Sequence, residues 1–376
     1  MRIKGNDYNL MELAGAFGDL GTLIPFVAGY ITLSRMDPLG ILVSMGALML
    51  LAGLYYRTPI PVQPMKAIGA AAIANGAAVT HGMIWGAGLL TGAFWLVMGL
   101  TGFITWIEKI TTKPVVRGIM LGLGLTFIIQ ALKMMKAEPA VSIAAFAMTL
   151  LLMKNRKIPA ILMLLLFGII LSFVTNPGLL DDFRAISVRF RLPGLSIPRL
   201  GLQEMAAGFV MLGIPQIPLT LGNAVIGTVA ENNQLFPEKT TTTRAIATSH
   251  GIMNLLSGAA GGIPVCHGAG GMAGHVRFGA RTGGSLVILG AILLVMGLFF
   301  SDSVSLIFKV FPPSILGVIL FFAGVQLALS VKDIKLKRQN LSVLVITAGI
   351  SMWNMGVAYA AGLVLYYLVQ KKWIEF

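Results

Sequence analysis

Two stretches of this sequence interrupt long apolar runs in the same way. Residues 58–67 read TPIPVQPMKA, and residues 261–271 read GGIPVCHGAGG. Proline lacks a backbone donor and glycine lacks a side chain, so each stretch is expected to begin extended and to become helical only partway along. Proline is favoured in a first helical turn, so one helix is predicted to start at Pro64 and to run through Met65 to Ala74. The second is predicted to start around His267 to Gly271.

The chain around these stretches is too apolar for a water-soluble protein. Of its 376 residues, 56% are hydrophobic and only 11% are charged, against about 25% charged residues in a soluble domain. The net charge of +14 does not indicate disorder or nucleic-acid binding, because the 28 Lys and Arg are scattered between apolar runs. The chain is therefore predicted to lie almost entirely in a lipid bilayer and to bind no nucleic acid.

The single cysteine, Cys266, excludes an internal disulfide and any multi-cysteine zinc or iron–sulfur site. No resident metal or cofactor is predicted. The N-terminus shows no short apolar core followed by a small-residue cleavage site, so the first apolar segment is expected to stay in the membrane.

Charged residues and Pro/Gly clusters divide the sequence into fourteen apolar segments. Seven lie near residues 9–33, 38–56, 59–79, 82–107, 114–132, 138–153 and 158–175, and seven near 203–232, 243–260, 262–279, 283–301, 311–330, 341–352 and 354–370. Segments 138–153 and 341–352 are short for a full span. The prediction is an all-α integral membrane protein with about 14 transmembrane segments: a first repeat (1–175), a connector (176–202) that is expected to be an amphipathic surface segment, and a second repeat (203–376).

The basic residues predict the orientation of these segments. With a cytoplasmic N-terminus, nineteen Lys and Arg fall on the inside, eight fall on the outside, and only Lys66 is left within a span. Cytoplasmic loops carry the excess of Lys and Arg in membrane proteins. Both termini are therefore expected in the cytoplasm, with the protein in the cell membrane.

The two halves are expected to form an inverted repeat. Seven is an odd number, so the second unit must enter the membrane in the opposite sense to the first. IPVQPMKA (60–67) in the third segment and IPVCHGAG (263–270) in the tenth occupy matching places. The two interrupted segments are therefore predicted to be half-helices whose starts meet near the midplane.

Two such helix starts suit an anion. Each offers free N–H groups and about half a positive charge, so that with an inward-pointing Lys66 the site would carry about +2. This charge matches a dianion, and the glycines at 268, 270 and 271 would let an oxyanion approach the backbone closely. The alternative for Lys66 is a side chain that extends to the membrane surface.

Three motifs carry a family resemblance: ELAGAFGDLGT (12–22), PVQPMK (61–66), and PVCHGAGG (264–271) with FGAR (278–281). They closely resemble the signatures of the molybdate transporter family related to sulfate permeases, and the resemblance extends over nearly the whole chain. It implies the fold shared by sulfate permeases and nucleobase symporters, with seven-plus-seven inverted repeats that form core and gate domains. It also implies high-affinity molybdate uptake. The chain ends six residues after Gln370, so no C-terminal cytoplasmic domain is expected.

The resemblance also implies the substrate site. The predicted substrate-binding residues are Gln63, Pro64, Met65, Lys66, Cys266, His267, Gly268, Ala269 and Gly270. His267 either donates to the anion or holds its loop through a backbone hydrogen bond, and the two roles stay open. Cys266 is better explained by packing, because an oxyanion needs hydrogen bonds rather than a thiolate.

Acids within a membrane are costly and usually functional. Asp19, mid-way along the first segment, is the candidate for proton coupling or for a partner of Lys66, with a structural salt bridge or a helix cap as the alternative. Glu231 is a candidate for gating or coupling, with a solvated acid near the surface as the alternative. Thr220 and Asn223 either complete the anion shell or hydrogen-bond neighbouring helices.

The sequence thus predicts a proton-coupled secondary transporter that imports molybdate. Sulfate and tungstate share the charge and shape of molybdate and remain alternatives. A nucleobase symporter is disfavoured, because it would need acids in both the eighth and tenth segments, and the tenth has none. A membrane hydrolase using Cys266 and His267 is disfavoured, because no acid lies near to orient the imidazole. A channel is also disfavoured, because paired broken helices suit the alternating access of a carrier better. A homodimer is expected only by analogy with this fold.

Overall fold

The computed structural model describes residues 1–75, 78–155, 157–184, 186–194, 201–334 and 338–374. Within these ranges the chain is predominantly helical, as predicted. Four of the basic residues counted for the orientation lie outside the described residues, as do parts of the connector: Arg156, Arg199, Lys335 and Lys337, and positions 185 and 195–200.

The first half of the chain contains three short strands and nine long or medium helices. The elements are β1 (Arg2–Ile3), β2 (Asn6–Asp7), α1 (Leu10–Ala16), α2 (Leu20–Thr32), α3 (Pro38–Tyr56), β3 (Gln63–Pro64), α4 (Lys66–Asn75), α5 (His81–Thr101), α6 (Phe103–Ile110), α7 (Lys113–Met135), α8 (Pro139–Leu152) and α9 (Ala160–Thr175).

The second half follows after the short helix α10 (Leu179–Arg184). Its elements are α11 (Leu202–Gly208), α12 (Ile214–Leu219), α13 (Thr228–Leu235), α14 (Thr243–Ala259), β4 (Val265–Cys266), α15 (Ala269–Arg277), α16 (Gly284–Phe300), α17 (Val304–Phe308), α18 (Pro313–Ala328), α19 (Arg338–Trp353) and α20 (Met355–Gln370). Wide π-helical turns at 209–213 and 220–227 join α11, α12 and α13 into one long segment.

Local sequence explains where many of these helices begin. A polar side chain before the first turn accepts hydrogen bonds from that turn's free N–H groups. The caps of this kind are Asn9, Asp37, Thr80, Thr242 and Asn354. At the other end, α5 stops at Gly102, whose φ of +75° suits a glycine.

The helices have membrane dimensions and membrane-facing surfaces. Six helical stretches are long and apolar enough to cross a bilayer, and five further apolar helices are shorter. Large apolar side chains such as Leu51, Leu151, Val174 and Trp353 are more than half exposed on the outer faces, as a lipid-embedded protein requires. A helix lies within each of the fourteen predicted segments, while the number of membrane crossings stays a prediction.

Long helices from the two halves pack against each other. The most extensive contacts join α7 to α18, α3 to α16, and α5 to α14. In a repeat of seven, segment 2 corresponds to segment 9, and segment 4 corresponds to segment 11. Helix α3 lies in segment 2 and packs on α16 in segment 11, while α14 lies in segment 9 and packs on α5 in segment 4. The two pairs are therefore equivalent under the repeat. The packing is thus the one that an inverted repeat would produce, and the repeat itself remains our proposal.

The connector between the halves lies partly against the second half, and its amphipathic character stays a prediction. After α10, residues 186–194 form neither helix nor strand, and Arg189 N and Arg191 N donate to Phe299 O and Leu298 O near the end of α16 at 3.0 and 2.8 Å. The Arg191 guanidinium also pairs with Asp302 at 2.6 Å. Of these contacts, the ion pair with Asp302 is the one that requires the charge of Arg191.

Candidate functional site

The two interrupted stretches meet in the interior of the protein. Gln63 pairs with Cys266 and Pro64 with Val265 as antiparallel strands β3 and β4, and Met65 N donates to Pro264 O at 2.9 Å. Because antiparallel strands run in opposite directions, the helices that follow them, α4 and α15, leave the crossing in opposite directions with their N-termini at the centre. At 1.5 Å per residue each helix is about 14–15 Å long, roughly half of a 30 Å bilayer core.

This arrangement corrects the predicted start of the first helix. Pro64 belongs to β3, and α4 begins two residues later at Lys66 and ends at Asn75. The reason is a long-range one: Gln63 and Pro64 pair with β4, and Met65 N donates to Pro264 O, so the helical hydrogen bonds begin only at Met65 O, which accepts from Gly69 N at 2.8 Å. The second helix starts at Ala269, within the predicted range.

Helix α14 holds the crossing in place. Asn254 donates from Nδ2 to Val265 O at 2.7 Å and accepts from Val265 N at 2.9 Å, so its amide clamps β4. Ser257 Oγ donates to Ile263 O at 2.7 Å. Neither residue was predicted, because an Asn or Ser in an apolar helix carries no sequence signal that says which backbone it contacts.

The helix N-termini present a set of backbone donors. Within the described chain, the N–H groups of Ala269, Gly270 and Gly271 make no hydrogen bond, and neither do those of Lys66 and Ile68. Ala67 N is the exception, since it donates to Gln216 Oε1 at 2.8 Å. The two helix ends together contribute a charge of about +1.

The ammonium group of Lys66 is buried beside these donors. In the described part of the chain its ammonium has no hydrogen-bond partner, and Nζ lies 4.3 Å from the centroid of the Phe127 ring. This cation–π contact compensates only part of the lost hydration. A side chain that extends to the membrane surface is therefore not what the structure shows. Phe127 was not predicted, because one more phenylalanine in an apolar span does not stand out.

Two amide oxygens in the site also lack partners among the described residues: Gln63 Oε1 and Asn223 Oδ1. Both side chains are buried, and both lie against Gly268. A Cβ at Gly268 would overlap Gln63 Oε1 and come within 3.3 Å of Asn223 Nδ2. A side chain at this position would have to displace the Gln63 amide, so glycine allows Gln63 to lie against this backbone.

Asp19 reaches the same centre from the first segment. It lies in a short 3₁₀ turn between α1 and α2 and is 5% exposed. Its carboxylate accepts hydrogen bonds from Thr22 Oγ1 and from Gln63 Nε2. Asp19 also interacts electrostatically with Lys66, although the two form no direct ion pair among the described residues.

The charge of the site therefore differs from the predicted +2. The helix ends contribute about +1, Lys66 adds +1, and an ionised Asp19 subtracts 1. The net charge is about +1 with Asp19 ionised and about +2 with Asp19 protonated. Asp19 was not counted in the predicted +2, because its distance from the helix starts is set by tertiary packing.

His267 and Cys266 are engaged by the protein. His267 contacts Pro61 O through Nδ1 at 2.8 Å and Ser249 Oγ through Nε2 at 2.8 Å, so the loop-holding alternative fits the structure. Cys266 Sγ lies 3.9 Å from Pro64 O and is 2% exposed, which fits packing. Met65 is fully buried in the apolar core, so only its backbone takes part in the crossing.

The remaining predicted residues lie on the long segment that contains α12 and α13. Thr220 is 1% exposed and accepts from Gln216 Nε2 at 3.0 Å. Asn223 belongs to the site, whereas Glu231 lies eight residues further, about 12 Å along a helix.

Glu231 lies near a buried cation, Arg117, that corrects another prediction. Both Glu231 and Arg117 are buried, at 2% and 4% exposure, and their charges interact. Arg117 lies within the predicted apolar segment 114–132, so Lys66 is not the only basic residue in such a segment. Arg117 lies one turn into α7, where the opposite charge of Glu231 compensates its burial.

Comparison with known proteins agrees with this architecture. Residues 11–127 and 208–327 match the sequence model of the family described as "Molybdate transporter of MFS superfamily". Molybdate transporter 2 of Arabidopsis thaliana is 33% identical, over 97% of this chain and 88% of that protein. Molybdate transporter 1 of Chlamydomonas reinhardtii is 25% identical, over 94% of this chain and 90% of that protein.

Solved structures show the fold. The transmembrane domain of the cyanobacterial bicarbonate transporter BicA aligns with a TM-score of 0.55 at 17% identity, over 96% of this chain and 99% of that domain. The murine SLC26A9 anion transporter in its inward-facing state aligns with a TM-score of 0.62 at 13% identity, over 100% and 70%. The fold is that of SLC26 transporters, even though the family description refers to the MFS superfamily.

These matches confirm the resemblance carried by the three motifs. The family and the relatives are transporters and not enzymes, which sets aside the Cys266 and His267 hydrolase. The chain is a multi-pass integral membrane protein, and it belongs to the molybdate transporter family.

Proposed function

We propose that this protein imports molybdate across the cell membrane and binds it as a dianion between the N-termini of α4 and α15. The observation that carries the proposal is the buried Lys66 ammonium, which has no hydrogen-bond partner among the described residues and lies next to free helix N–H groups. A buried, unpaired cation is costly. An anion that accepts from Lys66 and from both helix ends would remove that cost.

Asp19 supplies a physical reason for proton coupling. Protonation of Asp19 raises the charge of the site from about +1 to about +2, which matches molybdate. A protonated Asp19 can donate to Gln63 Oε1, whereas the ionised carboxylate accepts from Gln63 Nε2. The Gln63 amide would then turn its Nε2 toward the anion. One proton is therefore expected to enter with each molybdate.

The remaining parts of the proposal concern the whole transporter. Asn223 can complete the shell by turning its amide nitrogen to the anion, with Thr220 behind it. Glu231, whose charge interacts with that of Arg117, is proposed as a gate. The two seven-segment repeats would form core and gate domains, both termini would lie in the cytoplasm, and the protein would form a homodimer.

The test is binding of molybdate to purified protein by calorimetry. Lys66→Gln keeps a hydrogen-bond donor but removes the charge, so we expect the Kd to rise about 10- to 100-fold, the range for a charge-assisted hydrogen bond. Lys133→Gln, at an exposed lysine of α7, is the matched control and should bind like the wild type. Wild-type affinity in folded Lys66→Gln protein would contradict the dianion site.

Competition separates the alternative substrates. Tungstate, sulfate and phosphate are titrated against bound molybdate at about pH 6 and pH 8, on either side of neutrality. Molybdate is expected to bind most tightly. If sulfate or tungstate displaced it at lower concentration, the substrate assignment would fall while the oxyanion site would stand.

A further inference from the structure

Gln216 lies in α12 and reaches the start of α4. Its side chain is 1% exposed. Oε1 accepts from Ala67 N at 2.8 Å, and Nε2 donates to Thr220 Oγ1 at 3.0 Å. The amide thus connects the first turn of α4 to the segment that also carries Asn223.

The donor that Gln216 occupies belongs to the anion site. Ala67 follows Lys66, and its N–H is one of six first-turn donors at the two helix ends. Among the described residues the other five, on Lys66, Ile68, Ala269, Gly270 and Gly271, make no hydrogen bond. An amide oxygen on a helix N-terminus takes the position that an anion oxygen would take.

The segment around Gln216 has the structure of a site that rearranges. The π-helical turns at 209–213 and 220–227 flank α12 on both sides, and Pro215 and Pro218 lie within it. Such wide turns occur frequently at functional sites. Thr220, the second partner of Gln216, opens the same π-helical turn that contains Asn223.

We propose that Gln216 is a displaceable cap on the anion site. Before an oxyanion binds, the side-chain oxygen of Gln216 holds the Ala67 N–H, and on binding an oxyanion oxygen takes its place. The inference rests on the proposed function, because it takes the start of α4 as half of the oxyanion site. As a cap, Gln216 would lower the affinity of the site for the oxyanion and would help to release the bound oxyanion.

The direction of a mutational effect distinguishes a cap from other roles. A glutamine that binds the anion directly, or that only stabilises the fold around it, would weaken binding when it is removed. A cap competes with the anion, so its removal should tighten binding. A glutamate in its place should weaken binding, because a carboxylate on a helix N-terminus forms a stronger, charge-assisted hydrogen bond.

The experiment measures the molybdate Kd of three purified variants by calorimetry and their uptake in proteoliposomes. For Gln216→Leu we expect molybdate binding about 2- to 10-fold tighter, the range for one lost competing hydrogen bond. We also expect slower turnover, because no glutamine side chain returns to Ala67 N–H to displace the bound molybdate. For Gln216→Glu we expect binding at least about 10-fold weaker. Gln203→Leu, at an exposed glutamine of α11, is the control and should match the wild type.

Each contrary result is decisive. Unchanged or weaker binding by folded Gln216→Leu protein would overturn the cap. If Gln216→Leu did not fold, Gln216→Glu would provide the test. Molybdate binding by Gln216→Glu as tight as that of the wild type would also overturn the cap proposal. A wild-type protein that binds none of molybdate, tungstate and sulfate would instead contradict the proposed function, and this inference with it.

Discussion

Asp19 is the residue on which the charge of the site depends. It is buried between Thr22 and Gln63, and its protonation changes the site from about +1 to about +2. Because the proposed mechanism binds one proton together with each molybdate, linkage makes wild-type molybdate binding strengthen as the pH falls from about 8 to about 6. Asp19→Asn imitates the neutral acid, so its binding should stay tight and lose this pH dependence.

Transport by the same variant should fail in a characteristic way. Without an ionisable group at position 19, a proton gradient should no longer drive accumulation of molybdate in proteoliposomes, although exchange of molybdate across the membrane should continue. The measurement compares both fluxes with the Kd at the two pH values. If binding and accumulation fell by the same factor, Asp19 would be a structural or direct binding residue instead.

At the scale of elements, the site depends on the close crossing of β3 and β4 and on the glycine that follows it. A Cβ at Gly268 would collide with the Gln63 side chain, so Gly268→Ala should push Gln63 out of place and weaken molybdate binding about 10-fold or more. Gly349→Ala is the matched control, because nothing lies within 4 Å of a Cβ at that position. Equal Kd values for the two variants would show that the crossing tolerates the methyl group.

At the scale of the whole molecule, the orientation can be tested with single cysteines. Cys266 is buried, so Cys266→Ala should remain active and provide a cysteine-free background. A membrane-impermeant maleimide should label Asn176→Cys and Lys309→Cys in intact cells. It should label Lys154→Cys and Lys371→Cys only after permeabilisation, because the positive-inside rule places these two in the cytoplasm. The reverse pattern would invert the proposed direction.

Much of the site was predictable because its residues break local rules. Lys66 stands out as a cation in an apolar span, Asp19 as an acid in another, and Gly268 as part of a glycine cluster next to a proline. Phe127, Gln216 and Asn254 were not predictable, although each contacts the site or its strands. Such residues are ordinary members of a helix, and only the packing of distant segments shows what they contact.

The sequence by itself determined that the chain is a helical membrane protein, where its interrupted segments lie and which family it belongs to, because hydropathy, helix-breaking residues and motifs are local properties. Tertiary structure decided which groups are partnered. It moved the start of α4 from Pro64 to Lys66, engaged both nitrogens of His267, placed Asp19 against Gln63 and brought the charges of Arg117 and Glu231 close enough to interact. These outcomes depend on distances between residues that are far apart in the chain, and in a low-dielectric interior such distances decide which charges and hydrogen bonds remain free for a ligand.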